Sequence, residues 1–474
     1  MKWEYYAAVQ KYNTRGLSKG DVRAYFGLLT WSYEMDLLKS NEDKFRSHQE
    51  ALNLSLEHYR GITGNKNFTE DFSKVLNIWR RSDNQSLPRE PGGKPLVSPP
   101  VEKIRKRKKN SLNQVSLFSG AFGLDLGFMA AGFDQRMALD LDVDSSKTIT
   151  ANLPDLPFVR EDIEKVTTKN ILDISGLGIG EIDVLVGGPP CQPFSTAGKR
   201  MGLNDPRASP LKEFVRVIKE AQPRCFVMEE VEGLKSARLK HVPVSEAGRP
   251  LTPEEEKGSA FKLIIEMLNG TGYKFTYSIL NAADYGAPQV RNRLIFIGLR
   301  EGEPSLPTAT HSEVPQLRWN GEATSPWDTL WDVTADLQGE SQEFSNLSAK
   351  SKSYMGSVPP GGNWRNLPEE KIKGAMGGAY TSGGGKMGYY RRLSWDTPSP
   401  TVVTSPTQMA TLFCHPEELR PLSVEEYKRT QGFPDDWYLP KSTAAKYKLI
   451  GNAVPVYLSY AIAQKVTELL RHEN

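Results

Sequence analysis

These 474 residues predict an α/β fold with a doubly wound, mostly parallel sheet, a smaller loop-rich domain and a helical N-terminal extension. Three observations lead there. From residue 113 short apolar runs alternate with helix-like stretches, the pattern of βαβ units. A turn of small residues follows the first run, and an acid ends the second. A proline-flanked cysteine, a pair of acids and a cluster of arginines then fall at the edges of later runs, where open α/β sheets place their ligands.

Residues 1–82 read as a helical module of unknown role. Phe68, Phe72, Val75, Leu76 and Trp79 repeat with the spacing of one buried helix face. Asn67 or Thr69 suits its cap, and Glu70 and Asp71 suit its positive N-terminal end. Residues 83–112 read as a linker, broken by Pro88, Pro91, Gly92, Gly93, Pro95, Pro99 and Pro100. The basic run from Lys103 to Lys109 is either a solvated tether or a phosphate contact. The span 113–300 carries the strands VSLF (115–118), MALDL (137–141), DVLVGG (183–188), CFVM (225–228), YSIL (277–280) and LIFIGL (294–299). Residues 301–390, rich in Trp, Ser, Pro and Gly, read as a loop-dominated domain with short strands. Order returns over 391–474, and 456–470 reads as a closing helix.

Composition sets limits. Hydrophobic residues are 38% and charged residues 25%, the balance of a globular chain and neither a disordered nor a fibrous one. Sixty basic against 57 acidic residues leave a net charge of +3, so a nucleic-acid surface must come from local clustering. Cys191, Cys225 and Cys414 are too few and too far apart for a disulfide framework or a zinc site, and no metal is expected. No run approaches the ~20 apolar residues of a membrane helix, so a cytoplasmic chain is expected, on the nucleoid when bound to DNA.

Four motifs carry chemistry. Phe118-Ser119-Gly120-Ala121-Phe122-Gly123 follows a strand, and its small residues let a ligand approach the backbone. Asp140, at the end of the next strand, can take both ribose hydroxyls of an adenosine cofactor. The turn and the acid alone fit a dinucleotide enzyme nearly as well as a methyl donor. Gly187-Gly188-Pro189-Pro190-Cys191-Gln192-Pro193-Phe194-Ser195 holds a cysteine on a stiff loop, and a cysteine there suits a nucleophile. Glu229 and Glu230 end a strand on the same edge, where a carboxyl held protonated can act as an acid. In an extended backbone Gln289, Arg291 and Arg293 share one side, which suits phosphates and a base edge.

The ordered set FSGAFG, ALDLD, RED, GGPPCQPFS, EEV, QVRNR and Gly451-Asn452-Ala453-Val454 resembles the DNA (cytosine-5)-methyltransferase family, of the bacterial restriction–modification type. The resemblance covers about 113–300 and 391–470, and residues 301–390 lie where that family carries its target-recognition domain. It implies an S-adenosyl-L-methionine-dependent, Rossmann-like catalytic domain and no metal. Phe118, Gly120, Gly123, Asp140, Leu141, Asp162, Pro189 and Asn452 would border the cofactor, which leaves as S-adenosyl-L-homocysteine. Cys191 would be the nucleophile, Glu229 the acid on a flipped cytosine, and Arg291 and Arg293 its positioning partners. Gln192, Ser195, Gln289, Arg391 and Arg392 would touch double-stranded DNA, and a cognate restriction endonuclease would act separately. The chain departs from the family in Glu230 for the usual Asn, Leu141 for a frequent Trp and Asp140 for the more usual Glu; reduced cofactor affinity is the implied cost. The runner-up within the same catalytic logic is a tRNA methyltransferase. A different class is a DNA-binding regulator built on the N-terminal module.

Overall fold

The computed structural model describes residues 111–190, 209–240, 242, 248–313, 324–381, 388–440 and 442–471. The predicted N-terminal module and nearly all of the linker lie outside these residues, as do Cys191, Gln192 and Ser195.

A seven-stranded sheet forms the centre. Its strands are β1 (Asn113–Leu117), β2 (Asp134–Leu139), β3 (Phe158–Val159), β4 (Val184–Gly187), β5 (Cys225–Val231), β6 (Lys274–Asn281) and β8 (Asn292–Leu299). The order is β3-β2-β1-β4-β5-β8-β6, parallel from β3 to β5, with β8 antiparallel to both β5 and β6. Each predicted run from 115 to 299 overlaps one of these strands: VSLF, MALDL and DVLVGG run one or two residues past the strand ends, and CFVM, YSIL and LIFIGL lie inside longer strands. The chain winds outward from β1 to β3, then returns to the other side with β4. That reversal opens a crevice at the carboxyl ends of β1 and β4.

Alternation along the strands sends side chains to two cores. Val115, Leu117, Leu185, Phe226, Met228 and Phe296 pack on one face with helices α3 (Thr168–Ser175), α4 (Ser209–Ala221) and α5 (Ser259–Asn269). Val184, Val186, Val227, Ile295 and Ile297 pack on the other with α1 (Gly123–Ala131) and the C-terminal helix α11 (Val456–Arg471). β4 is buried along its length. That burial explains its unbroken apolar reading, since a central parallel strand has no solvent face. Between α1 and α3, helix α2 (Val143–Asn152) follows β2 and is capped by the Asp142 carboxylate, which accepts the N–H of Asp144 and of Ser145.

Residues 301–390 differ from expectation. Short helices, not strands, carry most of the order: α6 (Leu330–Thr334), α7 (Ala349–Met355) and α8 (Glu369–Met376). Among the described residues of this region the strand content is the two-residue pair β9 (His311–Ser312) with β10 (Ser325–Pro326). Leu347, Met355, Val358, Leu367, Ala375, Tyr390, Leu412 and Cys414 form a separate small core there. Apolar residues spaced over short helices leave no long period to read, so composition alone misjudged the element type.

Two parallel bridges tie the later segments in. β7 (Gln289–Val290) pairs with β12 (Ser399–Pro400), and β11 (Arg391–Arg392) pairs with β13 (Phe413–Cys414). Helices α9 (Val424–Gln431) and α10 (Thr443–Asn452) lead to α11, one residue longer than the predicted closing helix at its C-terminal end.

Candidate active site

β1 hands the chain to a turn of unusual backbone. Phe118 (φ 57), Gly120 (φ 55) and Phe122 (φ 79) all take left-handed conformations. Glycine does so freely, whereas each phenylalanine is strained by roughly 1–2 kcal/mol. Packing holds Phe122 in place: it is wholly buried and stacks on Trp437 with ring centroids 6.2 Å apart. The Ser119 N–H donates to the Leu139 carbonyl at 3.1 Å. The Gly120 N–H donates to Asp140 Oδ2 at 2.8 Å, and the Asp142 N–H to Asp140 Oδ1 at 2.7 Å. Asp140 therefore braces the turn from the end of β2. Burial raises its pKa above the ordinary carboxylate value, against the pull of those two backbone donors. A Cβ on Gly120 would meet nothing within 4 Å, so the turn borders open space. Leu141 is 63% exposed beside it. Asp162 caps a short 3-10 turn, its Oδ1 accepting the Glu164 N–H at 3.1 Å.

The C-terminal segment closes the other side of this turn. A Cβ on Gly123 would lie 2.3 Å from the Val454 carbonyl oxygen, and one on Gly127 would lie 1.8 Å from Ser459 Oγ. Asn452 ends α10 with its side chain exposed. Lys448, from the same helix, reaches Asp142 Oδ2 at 2.7 Å. No sequence motif marked that link, because the two residues stand 306 positions apart.

β4 delivers the second loop. A Cβ on Gly187 would lie 2.8 Å from the Leu117 carbonyl oxygen, and one on Gly188 would lie 2.9 Å from Glu229 Oε2. The glycine pair thus lets the loop run against β1 and against the acid at the end of β5. Pro189 is buried and Pro190 exposed, and the chain passes from there into Cys191. Glu229 Oε1 lies 2.6 Å from Arg293 Nε, both side chains being 13% exposed. The approach is an ion pair, since no acceptor is aligned with the Nε–H of Arg293, while its Nη1 donates to the Asn292 carbonyl at 2.8 Å. Glu230 alternates to the opposite face and is buried.

The arginine motif needs correcting. Gln289 and Arg291 do share a side, but that side is the interior: they are 0% and 1% exposed. Gln289 donates to the Thr430 carbonyl and to Gln431 Oε1, and accepts the Val402 N–H. Arg291 donates to the carbonyls of Val402 (2.9 Å) and Gly451 (2.7 Å). Burial, then the Arg293 charge, pull its pKa well below the usual guanidinium value. Both residues brace the C-terminal segment, so a direct DNA contact for Gln289 does not fit this geometry. Arg293 alone of the three reaches Glu229. Arg392 is likewise engaged: its guanidinium donates to the carbonyls of Pro416, Val358 and Glu417. The Arg391 guanidinium lies over the Phe413 ring at 5.6 Å. Arg391 and Phe413 line an open groove of about 520 Å³ with Val290, Pro400, Thr401 and Val403.

Against this geometry, residues 112–468 match the family described as C-5 cytosine-specific DNA methylase. The chain belongs to this family. It is a DNA (cytosine-5)-methyltransferase. The Type II methyltransferase M.PspPI of Psychrobacter sp. (strain TA137) is 38% identical over 371 residues, covering 78% of this chain and 82% of that protein. The Type II methyltransferase M.Eco47II of Escherichia coli is 37% identical over 374 residues, covering 78% and 82%. The solved methyltransferase EhMeth of Entamoeba histolytica shares the fold, with a TM-score of 0.50 at 16% identity over 76% of this chain and 99% of that one. Within the methyltransferase, no group of three or more His, Cys, Asp or Glu among the described residues could hold a metal ion. No helix among them is long and apolar enough to cross a membrane.

Proposed function

We propose that this methyltransferase modifies C5 of a cytosine flipped out of duplex DNA at a short specific sequence, through a temporary bond from Cys191 to C6, as the modification enzyme of a restriction–modification system. The observation that carries the reading is Glu229. Its Oε1 is held by Arg293, and its Oε2 faces Gly188, three residues before Cys191.

C5 of cytosine is a poor nucleophile while the ring is aromatic. The Cys191 thiolate adds to C6, forming one C–S bond and displacing the C5=C6 π pair into the ring. Negative charge would then build toward N3. A proton shared between Glu229 Oε2 and N3 takes up that charge, leaving C5 enamine-like. Arg293 holds the carboxylate in place for this contact. S-adenosylmethionine, when bound, supplies the methyl as an electrophilic sulfonium group. Loss of the C5 proton to water restores the double bond and expels Cys191 as thiolate. The thiolate cannot reach C6 in a stacked pair, so the base must leave the helix at a cost of a few kcal/mol.

Phe118, Gly120, Gly123, Asp140, Leu141, Asp162, Pro189 and Asn452 would hold the cofactor. The open space beside Gly120 and the acid at the end of β2 fit it. Arg291 acts at one remove, by bracing the C-terminal segment. Residues 301–390 read the target sequence, with Gln192, Ser195 and Arg391 on the DNA, and a cognate endonuclease acts separately. The protein works in the cytoplasm, on the nucleoid when bound.

Methyl-labelled S-adenosylmethionine should transfer label to duplex DNA, and bisulfite sequencing should place it at cytosine in one sequence context. Label found in tRNA alone, or on adenine, would overturn the reading.

A further inference from the structure

α1 carries an acid where its neighbours are apolar. Asp125, in the first turn of α1, is wholly buried between Leu124 and Leu126. From the sheet, β1 sends Gln114 and Ser116 to the same face, both buried. Gln114 Nε2 donates to Asp125 Oδ1 at 3.1 Å. Gln114 Oε1 is buried with no donor aligned on it, and Asp125 Oδ2 is buried with only the nearby Ser116 hydroxyl to offset its charge. Two such acceptors in an apolar interior are costly. One proton on Oδ2 relieves this, since an amide and a carboxylic acid close a ring of two hydrogen bonds. The group continues toward the cofactor turn: the Ser116 and Ser119 hydroxyls pair at 3.0 Å, and Ser119 lies between Phe118 and Gly120.

The charges around Asp125 are few. The Asp140 carboxylate, held by Gly120, acts on it through space. β4 and α11, which pack on α1, contribute the apolar Val184, Val186 and Leu458, the uncharged Ser459 and the buried phenol of Tyr457, and β2 contributes the apolar Ala138. Burial above all pushes the Asp125 pKa up to about 7; the Ser116 hydroxyl and Gln114 oppose the rise and Asp140 adds to it.

We propose that Asp125 sets cofactor selectivity: ionised beneath the Phe118–Gly123 turn, it favours the sulfonium cation S-adenosylmethionine over the neutral thioether S-adenosylhomocysteine. The proposal rests on the cofactor reading above. The two ligands differ by one methyl and one positive charge, so contacts alone discriminate them weakly. A buried negative charge discriminates by its field, which acts without touching the ligand. Asp125 holds its proton in the empty protein and releases it when the cation binds. By linkage, affinity for the cation rises as pH rises through the Asp125 titration, and affinity for the thioether does not. The spent product then leaves a site tuned to the donor.

The test is calorimetric titration of the full-length protein with each ligand from pH 6 to pH 8. In the wild type, the ratio of sulfonium to thioether affinity should rise with pH by several-fold, on the order of 5–10-fold, the effect of one charge acting across a few residues at intermediate dielectric. In Asp125→Asn the ratio should stay flat at the wild-type low-pH value. The Asn amide can donate to Gln114 Oε1 as the protonated acid does, and titrations of the ligands themselves are common to both proteins. A flat ratio in the wild type, or an unchanged rise in Asp125→Asn, would overturn the proposal. If that variant does not fold, Gln114→Met, which removes the amide donor to Asp125, should move the rise to higher pH, and a rise left in place would overturn the proposal. Failure of both ligands to bind the wild type would instead overturn the cofactor reading, and this proposal with it.

Discussion

Glu229 has one oxygen engaged by Arg293 and one turned to the loop that leads into Cys191. Glu229→Gln keeps the shape and removes the exchangeable proton, so the single-turnover methylation rate should fall by at least ~100-fold with little change in cofactor affinity. Rapid-quench measurement on a duplex substrate checks this, and an undiminished rate would refute the acid assignment. The position of Glu229 was legible in the sequence because a polar residue following an apolar run marks the end of a strand. The arginines show the limit of the same logic. Alternation placed Gln289 and Arg291 on one side, but which side is interior depends on Val402, Thr430, Gln431 and Gly451, more than 100 residues along the chain. Asp125 gave a different signal, an acid inside an apolar helical stretch, which carries meaning only when the group opposite it is known.

At the scale of elements, the contact of α1 with α11 sets the geometry of the Phe118–Gly123 turn. Glycine at 127 lets the two helices meet, since a Cβ there would lie 1.8 Å from Ser459 Oγ and 2.4 Å from the Tyr460 nitrogen. Gly127→Ala should therefore destabilise the fold by about 1–3 kcal/mol, the usual cost of overpacking a core. Urea unfolding measures it; an unchanged midpoint would show that the helices separate without strain. β1, β4 and β5 were visible as apolar runs because central parallel strands are buried on both faces, whereas β8 is antiparallel but also central, and YSIL lies in the partly exposed edge strand β6. The short helices of 330–376 were not, since five to eight residues give too few turns for a period to show. β3 and β7 are two residues long, held by pairing with distant strands and not by local preference.

Across the whole molecule, the chain leaves the sheet after β8, builds the region around Leu347 and Tyr390, and returns to seal the turn it formed first. The return is fixed at several points: Val454 against Gly123, Arg291 on the Gly451 carbonyl, and Lys448 on Asp142. The ordered motifs of the sequence include both 118–123 and 451–454, but nothing in them shows how these two segments touch. The Phe118–Gly123 turn, the Glu229–Arg293 pair and the Gly188–Pro190 loop then stand on one edge of one sheet, the arrangement on which the proposed reaction rests. The most direct test uses duplex DNA with 5-fluorocytosine at the target position, incubated with the protein and S-adenosylmethionine. Fluorine leaves C5 without a proton to lose, so Cys191 cannot depart. A stable protein–DNA adduct should form, and its linked peptide should contain Cys191. No adduct on a duplex whose unfluorinated form is methylated, or a link through another side chain, would contradict the account.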